Sequence, residues 1–356
     1  MKTKIHTATE ADGPELLALI EGTQSDGVFS MVATRRPNPV ASFQAENPQA
    51  KIGLIRDRQQ HIAAQFCISP GEYYINGGRC RVGYVSGVRS RPGFHGILDW
   101  MAMAEYVRES GCDLYTCSFL ADNDQARIQF AKKRKHFPQL FPLTAYTTYI
   151  INPDTVTRQW HKSQNTGSSF RAMLPKDRPQ VLDFINREAA RYQFAPVIDS
   201  LSQFNGLRES DCYLLEQEGT IKAFGALWNQ SHYKQYIVTG YQSYMKWMER
   251  FSRLPQRLGY IPIPKINTVL DFPTLSFCYA EEGNRAWYEL FLTQISREIA
   301  KSYPMFLIGM AHNHPHRTSI QSLRSIHFDS HLYYVRYDND LVPDSDRPIH
   351  YECGLL

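Results

Sequence analysis

The sequence predicts an α/β protein: mixed β-sheets with helices packed on their faces, one architecture used twice. Three observations predict it. Runs rich in β-branched and aromatic residues alternate with segments that carry an apolar helical face. The order of those elements in residues 1–151 recurs in residues 170–356. A polar, turn-rich stretch, residues 152–169 (NPDTVTRQWHKSQNTGSS), reads as a linker between the two. A chain of 356 residues fits two or three domains, and 43% hydrophobic content with 13% aromatics is enough to bury a sizeable core.

In the first half, Lys4–Ala8 is short and extended. Asp12 stands where it would cap a helix over Gly13–Gly22, with Leu16, Leu17, Leu19 and Ile20 on one face. A second helical piece follows Pro39, then strands over Lys51–Arg56 and His61–Ile68. Tyr73–Ile75 and Arg81–Val88 flank Asn76-Gly77-Gly78, the signature of a hairpin. After a break at Ser90–Gly93 comes a helix over Gly96–Glu109, apolar nearly all round and stopped at Gly111. A strand (Leu114–Leu120), a helix (Asp122–Lys133) and a strand (Leu143–Ile151) complete the half.

The second half begins with a strand (Phe170–Leu174), a helix (Pro175–Tyr192) and a hairpin, Asp211–Glu216 with Ile221–Trp228, turning at Glu218-Gly219. A helix over Gln242–Arg253 and a proline-broken loop to Pro264 come next. Strand Thr274–Ala280, helix Asn284–Ser302, strand Met305–Met310 and strand His331–Tyr337 close the chain.

Composition narrows the function classes. A net charge of +4 is too mild, and too evenly spread, to argue for nucleic acid. The seven cysteines show no CxxC spacing, which fits free thiols in a reducing compartment. The first residues contain no apolar leader and no run of about 18 apolar residues exists, so a cytoplasmic protein with no membrane partner is expected.

The stretch GYVSGVRSRPGFHGILDW (Gly83–Trp100) passes from strand to helix through an arginine-flanked, glycine-containing turn. A helix opening there presents free N–H groups and a positive dipole end, which suits a phosphate. Downstream, a strand is followed by Ala121-Asp122-Asn123 and then Ala126. Val88, Pro92, Phe94, His95 and Gly96, with Asp122, Asn123 and Ala126, resemble the paired motifs of the GNAT superfamily, the acyl-CoA N-acyltransferases. FGALWNQSHYKQYIVTGY (Phe224–Tyr241) resembles the later half of tandem GNAT-like proteins.

The resemblance implies two tandem GNAT-like domains, each a mixed, partly splayed sheet flanked by helices. It implies acetyl-CoA, or another acyl-CoA, as co-substrate, and a small-molecule or peptide amine as acceptor. Gly87, Val88 and Arg89 would meet pantetheine, Phe94, His95, Gly96 and Ile97 would offer N–H groups to the pyrophosphate, and Asn123 would contact the thioester end.

Two departures accompany it. Leu98 and Trp100 stand where the family places small residues, and Phe130 where it often places a tyrosine acid. No catalytic residue is assigned, although Tyr146 or Tyr149 are candidate substitutes for the acid. These departures leave a second reading open, a GNAT-derived protein that binds a small molecule or peptide without catalysis.

Other constellations carry less. His312, His314 and His316 lack the geometry of a metal motif, so no metal is expected. Lys132–Lys135 sits at a helix C-terminus, where cations match the dipole. Trp228, Tyr233, Lys234, Tyr236 and Tyr241 read as core packing or as a wall of the acceptor site.

Overall fold

In the computed structural model the described residues are 4–22, 29–94, 97–123, 127–128, 130, 138–160, 167–241, 261, 264–337 and 341–356. The first half contains β1 (His6–Thr7), α1 (Gly13–Glu21), β2 (Phe29–Thr34), α2 (Pro39–Glu46), β3 (Lys51–Arg56), β4 (Ile62–Ile75), β5 (Gly78–Ser90), α3 (Ile97–Arg108), β6 (Leu114–Leu120) and β7 (Gln139–Ile151). A short helix, α4 (Pro153–Gln159), lies within the segment read as a linker, capped by the Asn152 side chain. The second half contains β8 (Ser169–Ala172), α5 (Arg178–Ala189), β9 (Ala195–Pro196), β10 (Cys212–Gln217), β11 (Thr220–Trp228), β12 (Gln235–Tyr241), β13 (Thr274–Ala280), α6 (Arg285–Ile299), β14 (Phe306–Ala311), α7 (Arg317–Gln321) and β15 (Ser325–Arg336). The expected helices over Gln242–Arg253 and most of Asp122–Lys133 fall outside the described residues.

Local chemistry accounts for most elements. The β4–β5 hairpin turns at Asn76 (φ 54) and Gly77 (φ 84), the left-handed pair that Asn-Gly adopts readily. β4 runs unbroken through Pro70, where the sequence reading left a gap. Asn47 Nδ2 donates to the Pro70 carbonyl (2.7 Å), so the Pro70 nitrogen also faces away from β5 and no bond to that strand is lost. Asp12 does not cap α1. A 3₁₀ turn precedes the helix, and the Asp12 carboxylate accepts from Thr9 N (2.8 Å) and Arg56 Nη2 (2.5 Å).

The strands of both halves join one mixed sheet, in the order β1-β3-β4-β5-β6-β15-β7-β14-β13-β11-β10-β8, with β9 beside β4. At its middle the halves exchange strands. β15, from the end of the chain, lies between β6 and β7, while β7 lies between β15 and β14. β2 and β12 form a separate antiparallel pair that ties the halves again. Helices α1 and α2 cover β3 and β4 on one face, through Leu16, Val40, Phe43, Leu54 and Cys67. α3 covers the other face through Trp100, Met103 and Val107 against Phe66, Ile68 and Tyr115. α6 packs Phe291, Leu292 and Ile295 on the second half.

Each half contains one place where parallel neighbours separate. β5 and β6 pair only from Val82–Leu114 to Val85–Cys117. β13 and β14 pair only at Thr274–Leu307. In both, the strand before the crossover helix has a left-handed residue: Gly87 (φ 60) in β5 and Phe277 (φ 53) in β13.

Candidate acyl-transfer cleft

The two gaps differ in what fills them. The β13–β14 gap is closed by the chain's own residues 349–356. Phe277 N–H donates to the buried Glu352 carboxylate (2.7 Å), and Gly354 seats against Trp228 so tightly that a Cβ there would lie 2.7 Å from the indole. Tyr146 O–H donates to the Tyr351 carbonyl (2.9 Å) beside it.

The β5–β6 gap opens instead into a cavity of about 430 Å³. Its walls come from β5 (Ser86 to Arg89), β6 (Cys117 to Leu120), α2 (Phe43, Glu46), α3 (Met103, Val107) and, from the second half, Lys234, Tyr236, Leu355 and Leu356. The bulge at Gly87 makes this opening. The β4–β5 register shifts between Gln65 and Cys67, and Gln65 Nε2 donates to the Gly87 carbonyl (3.1 Å). A Cβ at Gly87 would meet the Phe43 ring at 3.0 Å, in a backbone conformation that L-residues resist.

The sequence-derived site residues are distributed as follows. Gly87, Val88, Arg89 and Asn123 line the cavity together. Phe94 is half-buried, edge-on to Trp100 (5.6 Å), and its N–H donates to Arg91 O (3.2 Å) in the turn. Ile97 opens α3. His95 and Gly96 lie outside the described residues, as do the side chains of Ile97 and Leu98. Trp100 is buried in the α3 core against Phe130. Phe130 itself lines the cavity, whereas neither Tyr146 nor Tyr149 does.

Three lining residues, Tyr84, Arg35 and Glu46, were not singled out from sequence. Tyr84 O–H shares a 2.7 Å hydrogen bond with Ser118 Oγ on the opposite strand, where the pair parts. Burial pushes the Tyr84 pKa up, so its phenol keeps its proton at neutral pH. Arg35 from the start of the first half, Glu46 from α2 and Lys234 from the second half form an ion triad. Arg35 Nη2 lies 2.6 Å and Lys234 Nζ 3.0 Å from the two Glu46 oxygens. Burial alone would raise the Glu46 pKa, but Arg35 and Lys234 more than offset it and hold the carboxylate below its usual range. Burial likewise opposes the Lys234 charge, and Glu46 restores it above the usual value. Lys234 Nζ also donates to Leu356 O (2.5 Å). Cys117 lines the gap with its thiol pushed up to about 12 by burial, which disfavours a cysteine nucleophile. Of the aromatic run flagged in the sequence, Trp228 and Tyr233 are core, and Lys234 and Tyr236 are wall.

The second half has a buried histidine cluster. His314 Nε2 lies 3.2 Å from His350 Nδ1, and His316 stacks on Tyr288 (3.9 Å). Among the described residues no three His, Cys, Asp or Glu side chains are placed to hold a metal.

A mixed sheet with a bulged strand parted from its parallel neighbour ahead of a crossover helix, built twice, is the GNAT fold in tandem. Three solved structures bear this out. One is the N-myristoyltransferase of Saccharomyces cerevisiae with bound myristoyl-CoA (TM-score 0.58, 9% identity, covering 98% of this chain and 87% of that one). Another is a GCN5-related N-acetyltransferase from Anabaena variabilis (TM-score 0.51, 10% identity, 92% and 72% covered). The third is a protein of unknown function from Enterococcus faecalis described as a probable N-acyltransferase (TM-score 0.51, 10% identity, 94% and 72% covered). No family model and no curated protein matches by sequence. Among the described residues no helix is long and apolar enough to cross a membrane.

Proposed function

We propose that the protein is an acyl-CoA-dependent N-acyltransferase whose thioester lies in the β5–β6 gap and whose amine acceptor enters between the halves. The observation that carries this reading is the contrast between the gaps: one is filled by residues 349–356, the other leads into the cavity. The similar solved structures, an N-myristoyltransferase and a GCN5-related N-acetyltransferase, support the same class.

Backbone groups of Gly87 to Arg89 would align the pantetheine arm, and Asn123 would sit near the thioester. The first of the two proposed units, residues 1–151, would hold the cofactor, and residues 170–356 would complete the acceptor wall. The amine attacks the thioester carbonyl, an N–C bond forms as the C–S bond breaks, and Tyr84 donates its proton to the leaving thiolate. The proton lost by the amine passes through water and returns to the Tyr84 oxygen, which restores the phenol for the next turnover.

Acetyl is the donor expected from the sequence. The cavity lining also includes Met103, Val107, Tyr115, Leu140 and Val335 from the apolar core on the α3 side, which favours a longer acyl chain as a second reading. Thiol release from acetyl-, octanoyl- and myristoyl-CoA with a panel of amines tests the proposal and ranks the donors. Tyr84→Phe is expected to lower kcat at least 100-fold with little change in cofactor affinity. An unchanged kcat would remove Tyr84 from the mechanism, and no calorimetric CoA binding would remove the transferase reading.

A further inference from the structure

One face of the cavity carries a charge, on Arg89, that no acidic side chain among the described residues answers. Gln65 and Arg89 are register partners on β4 and β5, so their side chains share a face. Cys67, two residues along β4, packs with Val40 and Phe43. Arg89 therefore lies on the α1–α2 face, opposite the side covered by α3. There it adjoins Arg35, whose guanidinium stacks on the Phe43 ring at 3.6 Å.

Among the described residues three cations line the cavity: Arg35, Arg89 and Lys234. Glu46 is the single acidic side chain among the described lining residues, and Arg35 and Lys234 already share its two oxygens. Arg89 makes one hydrogen bond, from Nη1 to the Val88 carbonyl (2.9 Å). Its Nε is shut off from solvent and has no partner. Burial first, and then Arg35, lower the Arg89 pKa, the mark of a cation without a counter-ion. An uncompensated guanidinium in a desolvated wall is costly in the empty protein and recovers that cost by binding an oxyanion.

We infer that the acceptor is an amino acid or a close analogue, a molecule whose amine is acylated while its carboxylate is held by Arg89 with Arg35 beside it. The inference rests on the N-acyltransferase reading for the amine and on the charge inventory for the carboxylate. The triad leaves Arg89 as the group free to bind, and the β5 bulge places it next to the proposed thioester site. A guanidinium matches a carboxylate in a two-point fork, so it fixes the acceptor's orientation as well as its charge.

The two readings fail separately under direct binding. Leucine, phenylalanine and glutamate, each compared with its α-carboxamide, and phosphoethanolamine are titrated calorimetrically into the intact protein with CoA present. At least one acid is expected to bind about tenfold more tightly than its amide. Arg89→Gln is expected to abolish that preference, with thermal unfolding as the folding control, and Arg89→Lys to retain part of it. Wild-type protein that binds the amides as well as the acids, or that binds none of the acids, overturns the inference without using any variant. Tighter binding of phosphoethanolamine than of every acid also overturns it, in favour of a phosphate. Acid-selective binding with no thiol release from any acyl-CoA would keep the carboxylate site and sink the transferase.

Discussion

Arg35, Glu46 and Lys234 show how a few side chains both build the cleft and join the halves. Their side chains are 10–13% exposed, so each charge depends on the others. Glu46→Gln removes the carboxylate that two buried cations share and is expected to cost about 3–5 kcal/mol in a denaturant titration. The Glu46 contribution is present above the ordinary carboxylate pKa and is lost as pH falls through its lowered folded value. The Lys234 contribution runs the other way, present below its ordinary pKa and lost as pH rises through its raised one. His316 adds a separate acid sensitivity. Burial, then His350 and Arg285, bring its pKa down to about 4. Between its unfolded value and that figure the unfolded chain binds a proton that the folded one refuses, so stability falls with pH by about 3 kcal/mol across the window. His316→Gln is expected to flatten the fall in melting temperature between neutral pH and pH 4, and an unchanged slope would reassign it to other groups. Gly87→Val combines a disfavoured φ with contact against Phe43 and is expected to cost at least about 1–2 kcal/mol.

At the scale of elements, the two crossover units share a backbone plan and differ in their contents. Phe277 holds a conformation that costs a bulky residue about 1–3 kcal/mol, and the Glu352 carboxylate on its N–H helps fix it. Gly87 adopts the equivalent conformation without that penalty and leaves its gap open. CoA is therefore expected to slow amide exchange in β5 and β6 and to leave β13 and β14 unchanged, and protection appearing in β13 would place the cofactor in the other half. The hairpins were legible in the sequence because Asn76-Gly77 and Glu218-Gly219 encode their turns locally. So were the crossover helices, whose apolar residues recur at helical spacing. Gly87, Val88, Arg89 and Asn123 were expected at the cofactor from the GNAT resemblance, and all four line one cavity. The plug was not legible, because residues 349–356 have no periodicity and gain their meaning only from Trp228 and Phe277, far away in the chain. Arg35 and Glu46 were missed for the same reason: nothing in the local sequence indicates that Lys234 will meet them.

The strand exchange sets what the whole molecule can do. Taken apart, residues 170–356 would hold β14 and β15 without β7 between them, and residues 1–151 would hold β6 and β7 without β15. Each piece would expose long unpaired edges next to a cut core, the condition that drives aggregation. The cleft would also lose a wall, since Lys234 and Tyr236 come from one side of the division and Glu46 and Arg89 from the other. Co-producing residues 1–160 and 167–356 as two chains leaves every one of these pairings available and removes only the covalent link. The two chains are expected to co-elute as one complex and to bind CoA like the intact protein. Either chain alone is expected to aggregate or to remain unfolded by circular dichroism. A half that folds by itself as a stable monomer would mean that the exchanged strands pair within one chain just as well. The continuous sheet would then be an assembly of two independent domains, and the cleft between them would be free to open, whereas reciprocal exchange requires it to stay at fixed width.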